Sequence, residues 1–332
     1  MKKIISIILL ICTFTLCLVS CGGNNNDDTN PSETPTENQT EQEKHTPYDA
    51  FVFYPQSLDT YVVGISDAGK YYTEIVIPST YNGGKVVGII KEGFKKCENL
   101  TSVKIPNTVT EIKEAAFYDC KNLKRIEFSN SITKIEKDAF YIYRSDKSVY
   151  FNGTIDDWVK IQFDGRLVVD GYNINWVLTS NPLCYGADLY INGKLFTDLV
   201  VDDISSFDNN DIPTYFSFCN SLKNVTLSNS NEIYELSFHC CSSLENVVIP
   251  NSVKKISALA FSECGITSIT IPTSVTQIEE DAFYYCRQLK SINYNGTTSQ
   301  WNAISKDKDW FVGKYFNCTI HCTDGDITIT DY

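Results

Sequence analysis

Hydrophobic positions along this chain fall into a recurring register of about 23 residues. From Leu100 the chain reads LTSVKIPNTVTEIKEAAFYDC, and from Leu123 it reads LKRIEFSNSITKIEKDAFYIY. Leu244 opens LENVVIPNSVKKISALAFSEC, and Ile266 opens ITSITIPTSVTQIEEDAFYYC. Within a unit, Val103 and Ile105 alternate with Ser102 and Lys104, which predicts a strand with one buried face. Pro106 ends that strand, because proline has no N–H for a ladder, and Asn107 and Thr108 turn the chain. Val109 and Ile112 point inward from a second side. Residues 114–117 are expected to form a short helical turn anchored by Phe117, with Ala116 small where backbones crowd. Cys120 and Leu123 close one coil and begin the next. One unit has too few apolar residues to close a core, so units must stack on their neighbours. Strands stacked ~4.8 Å apart then form a continuous parallel sheet.

The consensus C-x-x-L-x-x-V-x-I-P-x-x-V-x-x-I-x-x-x-A-F-x-x-C resembles the BspA-like, treponemal-type leucine-rich repeat. Weaker units extend the match. Residues 75–97 keep Ile75, Ile77, Pro78, Phe94 and Cys97 around a Gly-rich insertion at Asn82-Gly83-Gly84. Residues 222–241 keep Leu222, Val225, Leu227, Phe238 and Cys241, and residues 199–219 keep Val201, Phe216 and Cys219. The resemblance covers most of residues 71–305. It implies a leucine-rich-repeat solenoid, mainly β, with a parallel sheet on one face and short helical turns on the other.

The flanks divide the chain further. Residues 1–20 read as a lipoprotein signal peptide: Lys2-Lys3, then an apolar run ending Leu18-Val19-Ser20-Cys21. That ending resembles the bacterial lipobox, in which Cys21 takes a diacylglyceryl thioether and becomes the mature N-terminus. An uncleaved membrane helix or an ordinary secretory signal are the alternatives, but the run is short for a span. Two or three acyl chains on Cys21 anchor stably where one does not, and the resemblance implies a location on the bacterial cell envelope, at the outer membrane or cell surface. Residues 21–47 are polar and acidic and read as a disordered tether. Residues 48–70, where Phe51, Phe53, Tyr61, Val63 and Ile65 alternate, read as an N-terminal cap. The first repeat run takes residues 71–161 and the second takes 199–305. Each ends in a sister segment, Asn152-Gly153-Thr154…Trp158 and Asn295-Gly296-Thr297…Trp301, offset by 143 residues. Asn-Gly is a turn dipeptide. The Trp either covers the open end of a coil or is reserved for ligand stacking. Residues 162–198 read as an insertion, held by Leu167, Trp176 and Leu178, followed by a restart hairpin. Residues 306–332 read as a C-terminal cap with a terminal hairpin.

Charge and chemistry narrow the function. The formal net charge is −13. An acidic chain without basic runs argues against nucleic acid and against docking on an anionic membrane by charge alone. Of 13 cysteines, Cys97, Cys120, Cys219, Cys241, Cys264 and Cys286 share one repeat position, which Tyr143 fills in another unit. A cysteine there acts as a small buried hydrophobe. Parallel side chains in a ladder seldom meet the torsion of a disulfide, so free thiols are expected. Cys184, Cys318 and Cys322 lie outside the ladder, and a bond among them stays open. Cys318-x-x-His321-Cys322 reads as an alternating strand, since a structural zinc site needs four ligands. His239-Cys240 sits in a coil closure that other repeats fill without histidine. No G-x-S-x-G, H-E-x-x-H or phosphate loop is present. No catalytic residue, metal or cofactor is expected, and the chain reads as a non-enzyme.

The solenoid instead presents a surface. Outward strand positions form two columns: Ser102, Arg125, Ser148, Asn224, Asn246, Ser268 and Ser291 in one; Lys104, Glu127, Tyr150, Thr226, Val248, Thr270 and Asn293 in the other. The expected ligand-binding residues are Lys104, Arg125, Glu127, Tyr150, Asn224, Thr226 and Asn246. The resemblance implies a lipid-anchored surface adhesin that binds host matrix glycoproteins or surface glycans. The alternative is a glycan-capturing lipoprotein serving nutrient uptake, which needs an aromatic platform on an exposed face.

Overall fold

Each repeat folds as one coil of a β-solenoid with two strand-bearing sides and a third side of turns. The computed structural model describes residues 45–164, 168–170, 173–175, 180–202, 215–311 and 317–330. The signal segment, Cys21 and most of the tether lie outside the described residues, as do Leu167, Trp176 and Leu178.

On the first side, Glu74–Val76, Ser102–Lys104, Arg125–Ser129, Lys147–Asn152 and Ala187–Ile191 pair in parallel, in that order. Val103, Ile126, Val149 and Leu189 meet in register and are fully buried. In the second run Asp198–Val201, Asn224–Leu227 and Asn246–Val248 pair in the same way, and so do Ser268–Ile271, Ser291–Tyr294 and Asn317–Cys322. The second side, read from sequence only as inward-pointing Val109 and Ile112, is itself a ladder. Glu111–Ile112 pairs in parallel with Gly84–Ile89 and with Lys134–Ile135. Glu232–Ile233, Lys255–Ile256, Gln277–Ile278 and Ser305–Lys306 repeat the arrangement.

The third side departs from the expected helical turn. Ala115 and Asp119 adopt left-handed φ of 55° and 57°, and Leu236/Cys240, Leu259/Glu263 and Asp281/Tyr285 repeat the pair. The reason is a division of donors. The N–H groups of Ala116 and Tyr118 bond three residues back, to Lys113 and Ala115. Those of Ala115, Phe117 and Asp119 donate instead to Lys137, Ala139 and Tyr141 of the next coil, at 2.9, 2.8 and 2.9 Å. A helix would turn every N–H into its own coil; the alternation shares them with the neighbour. Each left-handed non-glycine residue costs roughly 1–2 kcal/mol, and the bonds made across the coils offset it.

Inside, the repeat phenylalanines stack. Ring centroids lie 5.0 Å apart for Phe94–Phe117, 5.3 Å for Phe117–Phe140, 5.7 Å for Phe238–Phe261 and 5.5 Å for Phe261–Phe283. Trp310 meets Phe283 edge-on at 6.0 Å. The cysteine ladder has a second role besides filling space. Four of its six thiols donate to the phenylalanine carbonyl of the preceding coil: Cys120 to Phe94, Cys241 to Phe216, Cys264 to Phe238 and Cys286 to Phe261, at 2.9–3.1 Å. All ten described cysteines are free, Cys184, Cys318 and Cys322 included. Tyr143 does not occupy the ladder position in its coil. It is 85% exposed, and Ile142 is buried in its place.

The ends are closed by hairpins. Phe51–Ser57 pairs antiparallel with Thr60–Ile65, which begins the second-side ladder on Gly84–Ile89. The tether reading ran to residue 47, yet Thr46 already belongs to this body: its N–H donates to the Val76 carbonyl at 3.0 Å and its hydroxyl accepts from the Val76 N–H. The insertion at Asn82-Gly83 is a tight hairpin with both residues at positive φ, pairing Thr80–Tyr81 with Gly84–Ile89. Asn317–Cys322 pairs antiparallel with Gly325–Thr330 at the other end. The sister segments become short helices, α1 (Ile155–Trp158) and α2 (Thr298–Ala303), each begun by a full capping box from Thr154–Asp157 and Thr297–Gln300. Gly153 and Gly296 are needed for space rather than for positive φ. A Cβ there would lie 2.7 Å from the Phe151 ring and 2.6 Å from the Tyr294 ring.

Two outcomes follow for stability. Phe117→Ala should cost ~3–5 kcal/mol in urea unfolding, because it opens a cavity between two stacked rings. A loss under about 1 kcal/mol would mean that the column is not the core. Burial also pushes Cys219 to about 11 and Cys286 to about 12, from an ordinary 9.0. Unfolded thiols ionise first, so this stability is complete below pH 9 and is lost as pH rises through the folded values. At about 1.4 kcal/mol per pKa unit and thiol, urea midpoints should fall steadily above pH 9, and Cys286→Ala should flatten the fall.

Candidate binding face and a cleft at the repeat junction

The strand register brings the predicted surface residues into two straight columns. Ser102, Arg125, Ser148 and Asp188 lie opposite one another, as do Lys104, Glu127, Tyr150 and Tyr190. In the second run Asp198, Asn224 and Asn246 align beside Val200, Thr226 and Val248. Tyr190 and Val200 join these columns from units whose repeat pattern is degraded, so the repeat register alone does not point to them. The alternation Leu189-Tyr190-Ile191 was the available signal.

The first-run columns are tightly coupled. Arg125 donates to Glu127 at 2.9 Å, and Lys104 reaches the other Glu127 oxygen at 3.7 Å. Both cations are therefore partnered, and this is not a bare positive patch. The Arg125 guanidinium lies 3.5 Å from the Tyr150 ring centre. Tyr190 stacks on Tyr150 at 4.4 Å with an interplanar angle of 11°. Tyr150 is thus held between a guanidinium on one strand and a ring on the next, and its edge and hydroxyl are what remain for a ligand. In the second run, Asn246 donates to Asn224 at 2.7 Å and Asn224 donates to Asp198 at 2.7 Å. Beside this polar ladder, Val200 is 63% and Val248 is 55% exposed.

The two Trp residues of the sister segments are not available for stacking on a ligand. Trp158 is buried against Phe128 and Phe151, with its Nε1 donating to the Tyr215 carbonyl. Trp301 is buried against Tyr294 and Trp310. Cys318 is buried, whereas His321 points to the opposite face of the strand and pairs with Asp326 at 2.9 Å. Alternation thus separates the members of Cys318-x-x-His321-Cys322.

A cleft of about 420 Å³ opens where the repeat pattern breaks. Tyr143, Arg144 and Ser145 line it from the first run, Tyr185 and Gly186 from the restart segment, and Phe218, Asn220, Cys240 and Glu263 from the second run. Lys147 pins this junction. Its buried ammonium donates to the carbonyls of Arg144, Cys184 and Gly186, and burial pushes its pKa down to about 8. Cys240 and Glu263 line the cleft and His239 is buried beside them, and donor atoms of the three lie within 4.8 Å of one another. Burial pushes the His239 imidazole down to about 3, keeping it neutral, and burial followed by the nearby Glu263 charge pushes the Cys240 thiol up. In sequence His239-Cys240 stands as a coil closure alone, since Glu263 lies one coil away.

Comparison with known proteins accords with this architecture. Residues 69–166 and 211–307 match the BspA type leucine rich repeat region in six copies, over more than half of the chain. A leucine-rich repeat protein from Bacteroides ovatus is similar in structure, with a TM-score of 0.45 and 22% identity over 79% of this chain. The chain spans 66% of that protein's length. The T. pallidum Leucine Rich Repeat protein is 21% identical, with a TM-score of 0.31, over 75% of this chain and 81% of its own. A leucine rich cell surface protein from Faecalibacterium prausnitzii is 20% identical, with a TM-score of 0.30, over 81% of this chain and 99% of its own. No curated protein matches. No described helix is long and apolar enough to cross a membrane. On the repeats it carries and the solenoid they build, the chain belongs to the BspA-type leucine-rich repeat family.

Proposed function

We propose that this chain is a lipid-anchored binding protein of a bacterial cell surface, and that its sheet face grips an extended segment of a host matrix glycoprotein. The observation that carries the reading is the Arg125–Tyr150–Tyr190 stack, standing on the same side of the strands as the paired Lys104 and Glu127. Arginine and tyrosine are the residue types that dominate protein interfaces, and repeat-equivalent groups ~4.8 Å apart suit an extended ligand. The exposed Val200 and Val248 add apolar contact beside the hydrogen-bonding ladder of Asn224 and Asn246. Capture of glycans for uptake is the less favoured reading. Sugar rings stack on open aromatic faces, and here Arg125 and Tyr190 cover both faces of Tyr150.

The test uses cells carrying the full chain and immobilised matrix glycoproteins, before and after enzymatic removal of their glycans. Arg125→Ala and Tyr190→Ala should each weaken attachment roughly tenfold or more, while Thr270→Ala leaves it unchanged. Attachment lost with the glycans would move the function to glycan capture. Equal attachment by all three variants would overturn the sheet-face reading. In the same cells Cys21→Ala should release the protein from the membrane fraction or leave its precursor unprocessed. Retention of the processed variant on the membrane would overturn the lipid anchor.

A further inference from the structure

We propose that His239, Cys240 and Glu263 form a zinc-type divalent cation site on the wall of the junction cleft. The donor atoms already converge. His239 Nε2 and Cys240 Sγ are 3.2 Å apart, and the third donor, a Glu263 carboxylate oxygen, lies within 4.8 Å of both. In a tetrahedral zinc centre with Zn–N near 2.0 Å and Zn–S near 2.3 Å, a nitrogen and a sulfur ligand stand ~3.5 Å apart. The His–Cys pair therefore needs almost no movement. Glu263, whose carboxylate is at the cleft mouth, closes the remaining distance by a side-chain rotation.

The repeat geometry explains why these residues meet. Cys240 and Glu263 each stand two residues after the coil phenylalanine, at Phe238 and Phe261. Both have left-handed φ of 58°, and the Cys240 N–H donates to the Ser262 carbonyl at 2.8 Å. Two equivalent positions in adjacent coils thus project side by side. Other coils place Lys96, Asp119, Phe218 or Tyr285 at this position with left-handed φ, and the Phe140 coil places Ile142 there; no second cluster of three such donors occurs among the described residues. His239 is held in place from the far side by the Phe218 ring, which meets it at 5.2 Å and 89°. Rigid backbone and a packed imidazole give the preorganisation that a metal centre requires.

The donor set selects the metal. A thiolate, an imidazole and a carboxylate together suit zinc, whereas magnesium and calcium take oxygen donors. Three protein donors leave a fourth position open to water or a ligand, and two of the three, Cys240 and Glu263, line the cleft. On binding, the Cys240 S–H bond breaks, the Sγ–metal bond forms and one proton passes to solvent, with no change of oxidation state.

The purified full-length chain in detergent is titrated with zinc against a chromophoric chelator, and then with cobalt(II) as a spectroscopic probe. One equivalent of zinc should bind, and cobalt should give a thiolate-to-metal charge-transfer band. Cys240→Ser should abolish that band, and Glu263→Gln, a change at the cleft mouth, should weaken zinc roughly tenfold or more. Circular dichroism of both variants checks that the solenoid is intact. Absence of stoichiometric zinc binding overturns the proposal. So does a cobalt band that survives Cys240→Ser, which assigns the metal to another thiol, or zinc affinity unchanged in both variants.

Discussion

The structure depends on one constraint: every coil must bond its backbone to its neighbouring coils on all three sides. Two sides meet it with parallel strands, such as Ser102–Lys104 and Glu111–Ile112. The third meets it with the alternating donors around Phe117. That third ladder forces left-handed conformations on residues such as Ala115, Leu236 and Asp281, which gain nothing from them locally. The conformations persist because the stack over-determines them. A lone coil would relax, and this is the backbone counterpart of a repeat that cannot close its own core.

The side chains answer the same constraint. Turning the phenylalanine N–H outward to the next coil leaves its carbonyl facing the ladder cysteine of the coil above, and the thiol fills that role at 2.9–3.1 Å. Cysteine suits the site because it combines small volume with a weak donor. The same column of buried thiols, whose ionisation is opposed by burial, also ties the body to neutral and acidic conditions.

Much of this was legible in the residues because the signal recurs. Four copies of one pattern set the inward positions Val103, Val109, Ile112 and Phe117 without reference to any fold, and all four are fully buried. What was not legible has specific causes. The third side looked helical because Glu-Ala-Ala-Phe has high helix propensity, and propensity carries no record of which coil a donor serves. Tyr143 was assigned inward by counting, but the chain changes course there toward Lys147 and the restart segment, leaving Ile142 in the core. The outward columns could be counted from sequence, whereas the stack of Arg125, Tyr150 and Tyr190 required the pairing of Lys147–Asn152 with Ala187–Ile191 across the insertion. The grouping of Glu263 with His239 and Cys240 likewise arises from inter-coil register, which a linear reading does not contain.

The alternation of donors also sets a parity rule for how such a chain can vary. The two left-handed residues are four apart in five coils, at 92/96, 115/119, 236/240, 259/263 and 281/285, whereas the coil of Phe140, next to the junction, keeps only Asp138. The distance between successive pairs is nevertheless 23 residues from 92 to 115 and from 236 to 259, and 22 from 259 to 281. Adding one residue within the four would exchange inward-turned and outward-turned N–H groups and strand both sets. Length can therefore drift only outside that stretch. The extra residues at Asn82 and Gly83 enter there as a strand-side hairpin, and the long departure after α1 begins only once the last coil of the run has been closed. Lineages of this scaffold would then diversify by strand-side loops and by whole coils, with the turn side kept at fixed length as the ruler that keeps the stack in step.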